Sequence, residues 1–307
     1  MKKILVITSH YDKTVDYLLE KYPETNFFRF NVDEFSNYQV SVSGSRFNIS
    51  RDGVTISSES CRSIYYRKPS LEDLKEVISG EYFSYVYSEV FALVDGIADA
   101  FDGFCMTKPK CFRFASNKIV QASLAEKVGF NIPAHSITNS ESSVDSIKEG
   151  VKIVKPISVG KIKRDESFEF VQTNIVDDSV GKEKLKYCPS YFQSFISKDY
   201  ECRLTIVGDT HFGVKIDSVD RVDWRRPGNK VSYMVVDVPN HILEKCFYLM
   251  QLLDIEFGCF DFLIKDSEWY FLEVNVNGQW AWLELELGIN ISGKIIEKLE
   301  CKNSVLC

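Results

Sequence analysis

The chain has 307 residues, enough for two or three packed units, and 45% hydrophobic with 26% charged residues describes an ordinary soluble globular protein. A formal charge of −7 argues against a dedicated nucleic-acid binder, and no apolar run approaches the roughly eighteen residues of a membrane span. Nine cysteines without a C-x-x-C pair and four scattered histidines argue against a zinc site or a nucleophilic triad, and they fit a reduced, cytoplasmic setting.

MKKILVITSH is too short an apolar stretch for a secretory signal and reads as a first buried strand over residues 3–8. A helix follows over 12–21 and a strand over 25–31. Short strands at 40–42, 46–50 and 54–57 are punctuated by Gly44 and Asp52-Gly53 as hairpin turns. A strand over 62–67 is closed by Pro69, and residues 71 to about 101 supply one or two helices. This first α/β unit is expected over 1–106.

Past Lys108, a helix is expected over 116–128, with Ser116 or Asn117 as its cap and Gly129 as its stop. A short strand starts at Ile132-Pro133, another helix covers 140–150, and a β run covers 151–157 before a loop containing Gly160. The chain turns strand-rich from Tyr191, with a hairpin turning at Gly208-Asp209. Residues 218–229 are charged and aperiodic and read as a loop, and a helix over 240–253 leads to a last hairpin. Residues 290–300 form a terminal helix. Units at 107–190 and 191–307 follow from this division.

The last hairpin, GCFDFLIKD and WYFLEVNVNG, carries the most chemistry. With its turn centred on Ser267, Asp261 and Glu273 face each other across the ladder, and Asn275 shares the face of Glu273. Two carboxylates and an amide oxygen suit Mg²⁺, which commonly arrives on nucleotide phosphates. A strand with its polar side in water is the alternative, and the apolar flanks weigh against it.

Lys155 ends a strand before Pro156 and a glycine-containing loop, a place to meet phosphate. A solvated lysine is the plainer reading, since neither G-x-x-x-x-G-K-[ST] nor G-x-G-x-x-G is present. In YFQSFISKDYECRL the strand ends near Ile196, where exposed backbone can pair with an adenine edge and a carboxylate can hold ribose. Glu201 and Arg203 share a face, as a substrate contact or as a surface ion pair. Lys215 and Asp217 share a face too, and Arg225 and Arg226 beside Trp224 make either an anion clamp or a solvated turn.

The order of these features resembles that of the ATP-grasp ligases over residues 107–285, and within them the graspetide (microviridin-type) peptide macrocyclases. The matching segments are YYRKP at 65–69, residues 116–140 (SNKIVQASLAEKVGFNIPAHSITNS) and VKP at 154–156. ECRLTIVGDTHFGVKIDS at 201–218, DWR at 223–225 and FDFLIKDSEWYFLEVNVNGQW at 260–280 continue the match. The resemblance implies an α/β (α+β) ATP-grasp fold with an N-terminal α/β domain, a central domain and a C-terminal ATP-grasp domain. It implies ATP and Mg²⁺ as cofactors, with Asp261, Glu273 and Asn275 on the metal and Lys155 and Lys118 toward phosphate. Backbone at Phe195 and Ile196 with Gln193 would face adenine, and Asp199 or Glu201 the ribose. Arg203, Lys215 and Arg225 would neutralise the transferred phosphoryl group.

The implied reaction activates an Asp or Glu side chain of a precursor peptide as an acylphosphate. A Ser, Thr or Lys side chain of the same peptide then closes an ω-ester or ω-amide ring. The implied partner is that peptide, leader and core, with a homodimer, no nucleic acid and no membrane. Two other readings stay open: a ligase adding free amino acids to a protein or peptide, and a non-catalytic nucleotide-binding regulator.

Overall fold

The computed structural model describes residues 2–147, 150–158, 160–164, 167–176, 182–226 and 228–301. KILVIT is apolar at its four central positions because both faces of the strand it forms, β1 (Lys3–Thr8), are covered. Helix α1 (Lys13–Lys21) follows, capped by the Asp12 carboxylate on the N–H groups of Thr14 and Val15, and then β2 (Phe27–Asn31). An antiparallel meander of β3 (Gln39–Ser43), β4 (Arg46–Arg51) and β5 (Val54–Ser57) leads to β6 (Cys61–Tyr66). Helix α2 (Phe83–Ala100) and β7 (Phe104–Met106) complete a parallel sheet of order β2-β1-β6-β7. Leu5 and Ile7 pack against α2 and the meander, while Ile4 and Val6 pack toward the C-terminal helices.

Next come α3 (Pro109–Ala115) and α4 (Lys118–Val128), the latter capped by Asn117 and stopped by Gly129 at φ +86°. Strand β8 (His135–Thr138), α5 (Glu141–Asp145), β9 (Lys152–Lys155), the hairpin β10 (Lys161–Arg164) and β11 (Ser167–Phe170), β12 (Asn174–Ile175) and β13 (Ser190–Ser194) follow. The central sheet has the order β12-β9-β13-β8, all antiparallel. The chain ends with β14 (Tyr200–Val207), β15 (Thr210–Ser218), β16 (Val231–Val235), α6 (Asn240–Leu253), β17 (Phe257–Lys265), β18 (Glu268–Asn275), α7 (Ala281–Leu287) and α8 (Ile291–Glu300). These strands make an antiparallel sheet of order β16-β15-β14-β17-β18.

Packing divides the chain differently from the expected 107–190 and 191–307. Residues 191–194 belong to the central sheet, paired with β8 and β9, and the C-terminal sheet starts at Tyr200. Helices α3 and α4 bury Cys111, Ala115 and Ala125 with α6, Phe262 and Phe271, on the C-terminal sheet rather than the central one. The helix expected over 140–150 is the shorter α5; residues 148 and 149 lie outside the described set.

The C-terminal sheet has two unlike faces. One carries Cys202, Leu204, Phe260, Phe262 and Val274 against α4 and α6. On the other, β14 runs from Glu201 and Arg203 to Thr205 and Val207, so its polarity fades along the strand. The apolar end, with Val214 and Phe257, packs into the cluster that holds the N-terminal sheet. The polar end faces the central sheet.

The last hairpin reaches its expected pairing by another route. Its turn is the two-residue Asp266-Ser267, both at positive φ (+49° and +66°), which pairs Lys265 with Glu268 and Phe262 with Phe271. Continued regularly, that register would set Asp261 opposite Leu272 and send Glu273 into the core. A bulge at Leu272 shifts the ladder so that Asp261 pairs with Glu273.

Arg67 fastens the N-terminal unit to the exit of this hairpin. It is fully buried at the end of β6 and donates to Asn277 Oδ1 (3.1 Å), the Gly278 carbonyl (3.3 Å) and Gln279 Oε1 (3.2 Å). Its Nε stands 3.5 Å from Asp12 Oδ2. Removing a partner from such a buried network typically costs about 3–5 kcal/mol. Arg67→Met should therefore lower the melting temperature markedly, and an unchanged melting curve would refute the fastening role.

Candidate active site

Four strands and one helix converge on the polar end of the C-terminal sheet. Arg203 on β14 pairs across the ladder with Asp261 on β17, and its Nη1 donates to both carboxylate oxygens (2.7 and 2.8 Å). Asn275 Nδ2 donates to Asp261 Oδ2 (3.0 Å) and Glu273 Oε1 (3.3 Å). Lys118, the first residue of α4, stands 3.5 Å from Glu273 and donates to the Pro156 carbonyl (3.0 Å). Lys155, at the end of β9, donates to Gln193 Oε1 (3.1 Å) and lies over the Tyr191 ring.

Burial works against the charges on Glu273, Asp261 and Lys155, and neighbouring cations outweigh it only at Glu273. Burial opposes ionisation of Glu273, but Lys118, Lys155 and Arg225 overcome it and hold the acid at about 2. Burial and the adjacent Glu273 push Asp261 up against the pull of Arg203. Lys155 falls to about 8, chiefly through burial. Two side-by-side acids, one raised by the other, make a place that a divalent cation would relieve. Among the described residues no group of three or more His, Cys, Asp or Glu side chains is placed to hold a metal ion. The donor set is two carboxylates and an amide, leaving the other positions of a hard cation to water or phosphate.

Beside this face a cleft runs between the central and C-terminal sheets. Lys155, Gln193, Glu201, Leu263 and Leu272 are among the residues lining it. Gln193 Nε2 and Ser194 Oγ are buried and lack hydrogen-bond partners among the described residues, as groups do that await a polar ligand. The cleft measures about 70 Å³, below the roughly 300–1,000 Å³ usual for ligand sites, so a nucleotide fits only with the sheets further apart.

Of the expected site residues, Lys118, Lys155, Arg203, Arg225, Asp261, Glu273 and Asn275 are brought together. Arg225 is gripped by Asp223 through Nε (2.9 Å) and Nη2 (3.1 Å). Burial opposes its charge, but Asp223 more than offsets this and keeps it above the ordinary guanidinium range. Gln193, Ile196 and Glu201 line the cleft, with Glu201 ion-paired to buried Lys198. Phe195 also lines it, but its N–H is taken by the Val151 carbonyl (2.8 Å), leaving only its carbonyl for an adenine edge.

Two expectations fail on geometry. Lys215 pairs with Cys202, so it points to the sheet face opposite Arg203 and lies over Tyr200, 3.5 Å from Asp217. Asp199 is exposed, and its carboxylate accepts the N–H of Asp266 at the hairpin turn (2.8 Å). Gly160, expected in a phosphate loop, has a tight packing reason of its own: a Cβ there would lie 2.6 Å from Pro156 and 2.7 Å from the Val171 carbonyl.

Other contributors have no expected role. A Cβ at Gly278 would lie 2.8 Å from Arg203 Nη2, so glycine makes room for the guanidinium. Gln121 on α4 binds both the N–H and the C=O of Val274 (3.0 and 2.9 Å), closing the edge of β18 behind the acids. Asp223 and Lys198 sit two or three residues from the charges they hold, a local spacing that could have revealed them.

No protein-family model and no curated protein sequence matches the chain. Solved structures do. A RiPP-associated ATP-grasp ligase from Chryseobacterium gregarium, in complex with ADP and a leader and core peptide, is 26% identical with a TM-score of 0.87, covering 97% of this chain and 96% of that one. Macrocyclase MdnC from Microcystis aeruginosa, bound with precursor peptide MdnA, is 24% identical with a TM-score of 0.86, covering 97% and 99%. Macrocyclase MdnB from the same organism is 25% identical with a TM-score of 0.79, covering 98% and 99%. The chain has the ATP-grasp fold, and its likeness to these ligases runs over its whole length.

The depressed Lys155 has a measurable signature. Between about pH 8 and its ordinary 10.5, the unfolded chain binds more protons at this lysine than the folded one. Stability of the parent relative to Lys155→Met should rise across that window in denaturant unfolding. A difference that stays constant with pH would show an unshifted lysine.

Proposed function

We propose that this chain is an ADP-forming ATP-grasp ligase that closes macrocycles in a ribosomal precursor peptide. The observation that carries the reading is the paired Asp261 and Glu273, half-buried among Lys118, Lys155, Arg203 and Arg225 in a chain alike over its full length to a RiPP-associated ATP-grasp ligase. An Asp or Glu side chain of the peptide takes the γ-phosphoryl of ATP and releases ADP. A Ser, Thr or Lys side chain of the same peptide then attacks the acyl carbon and releases phosphate, leaving an ester or amide bond.

Asp261, Glu273 and Asn275 would hold Mg²⁺, which when bound neutralises phosphate charge. Lys155 and Lys118 meet phosphate, while Gln193, the Phe195 carbonyl and Ile196 take the adenine edge and Glu201 lies on the ribose side. Arg203 and Arg225, each already held by a carboxylate, are oriented before charge develops on the acyl group.

No helix among the described residues is long and apolar enough to cross a membrane. A cytoplasmic setting is supported by the thiols of Cys61, Cys105, Cys111, Cys202, Cys246 and Cys259, all free and buried, while Cys301 stands in a disulfide. A homodimer is supported by Tyr82, Tyr85 and Tyr87, exposed at and near the start of α2.

The test is a mass spectrum of an acidic, Ser/Thr- or Lys-containing peptide encoded beside the gene, after incubation with the protein and MgATP. Loss of one water mass per linkage is expected, and gain of whole residues would move the assignment to amino-acid ligation. Glu273→Ala should reduce turnover on the order of a hundredfold to a thousandfold with the fold intact. Normal ADP release by that variant would refute the metal role.

A further inference from the structure

A second cleft, of about 460 Å³, opens at the carboxyl edge of the N-terminal parallel sheet, against α7. Ligands favour that edge of parallel strands. Ala281, Trp282 and Leu285 form its apolar wall, with Leu285 well exposed. The other wall is polar, and almost all of its groups are committed. Tyr11 OH donates to Ser70 (2.6 Å), and Tyr17 OH donates to Glu284 (2.8 Å). Asp12 caps α1 and faces Arg67, and Lys13 pairs with Asp16 (3.0 Å). Thr14 donates to Gln279 Oε1 (2.6 Å), which Arg67 also reaches.

Lys68 is the exception. Among the described residues, no hydrogen bond or ion pair reaches its Nζ. Its backbone sits at φ +22° immediately before Pro69, a conformation that side-chain-bearing residues rarely adopt and that tends to mark functional positions. The residue is exposed overall, but partial cover of its stem, with Arg67 and Arg203 near, draws its pKa below the ordinary lysine range. Gln279 links this cleft to the acid-pairing arginine, because its backbone carbonyl accepts from Arg203 Nη2 (3.4 Å).

We propose that this cleft seats the acidic core of the peptide and that Lys68 holds one of its carboxylates, fixing which acid reaches Arg203. This rests on the peptide-ligase reading of the neighbouring site. The chemistry is that of an unpaired ammonium beside an apolar wall: it takes a carboxylate whose neighbouring residue is aromatic or aliphatic. The nucleotide lies on one side of Arg203 and the peptide on the other.

The test uses fluorescence anisotropy with two labelled synthetic peptides and the full chain, without nucleotide. One peptide is built from Thr, Leu and Asp, and in the other every Asp is replaced by Asn. The parent should bind the acidic peptide about tenfold more tightly. Lys68→Ala should lose that preference without a change in melting temperature, and Lys68→Arg should keep it. Equal preference in parent and Lys68→Ala, or none in the parent, would overturn the assignment. Ring closure is scored separately by mass on the precursor peptide. Its absence, with charge-selective binding intact, would fault the ligase reading and leave the Lys68 contact standing.

Discussion

Two carboxylates held side by side and largely shielded from water are unstable unless cations surround them, and this constraint organises the molecule. Asp261 and Glu273 come from one hairpin, while their counter-charges come from every direction. Arg203 arrives from the neighbouring strand, Lys118 from the start of α4, Lys155 from the central sheet and Arg225 from the loop after β15. No single element can supply that ring of charge. The central and C-terminal regions must therefore meet here, and they do so at the polar end of one sheet face.

The charged loop over 219–230 shows how this meeting is kept ordered. Asp220 accepts the N–H groups of Val222 and Asp223 (2.8 and 3.0 Å), and Asn229 ties Ser218 to the Trp224 carbonyl (2.7 and 2.8 Å). Arg226 then reaches across to the Thr173 carbonyl of the central region (3.0 Å). Separating the sheets to admit a nucleotide would stretch that bond, so the loop that presents Arg225 is tied to the opening of the cleft.

Much of the site was legible in the sequence because its chemistry lies on strands, where period-two alternation states which residues share a side. That rule groups Glu273 with Asn275, Glu201 with Arg203, and Lys215 with Asp217. It does not state which side faces what. Lys215 lands opposite the site because β15 pairs Val214, not Lys215, with Arg203. The sheet membership of β13 was hidden for a similar reason: an apolar strand names no partner, and β8 and β9 claim it from a distance in the sequence. Asp199 was misplaced because its partner is a backbone N–H at a turn 67 residues further on. The buried arginine at the end of β6 was visible only as part of a motif, and its contacts with residues 277–279 need the fold.

The bulge at Leu272 does two jobs with one inserted residue. It turns Glu273 toward Asp261, and it adds an apolar side chain to the wall of the nucleotide cleft beside Leu263. A straight hairpin one residue shorter would keep the acid pair and lose that wall. A straight hairpin of the present length would keep the wall and bury Glu273 in the core. Charge and shape at this position are thus inherited together, and neither can drift by insertion or deletion without the other.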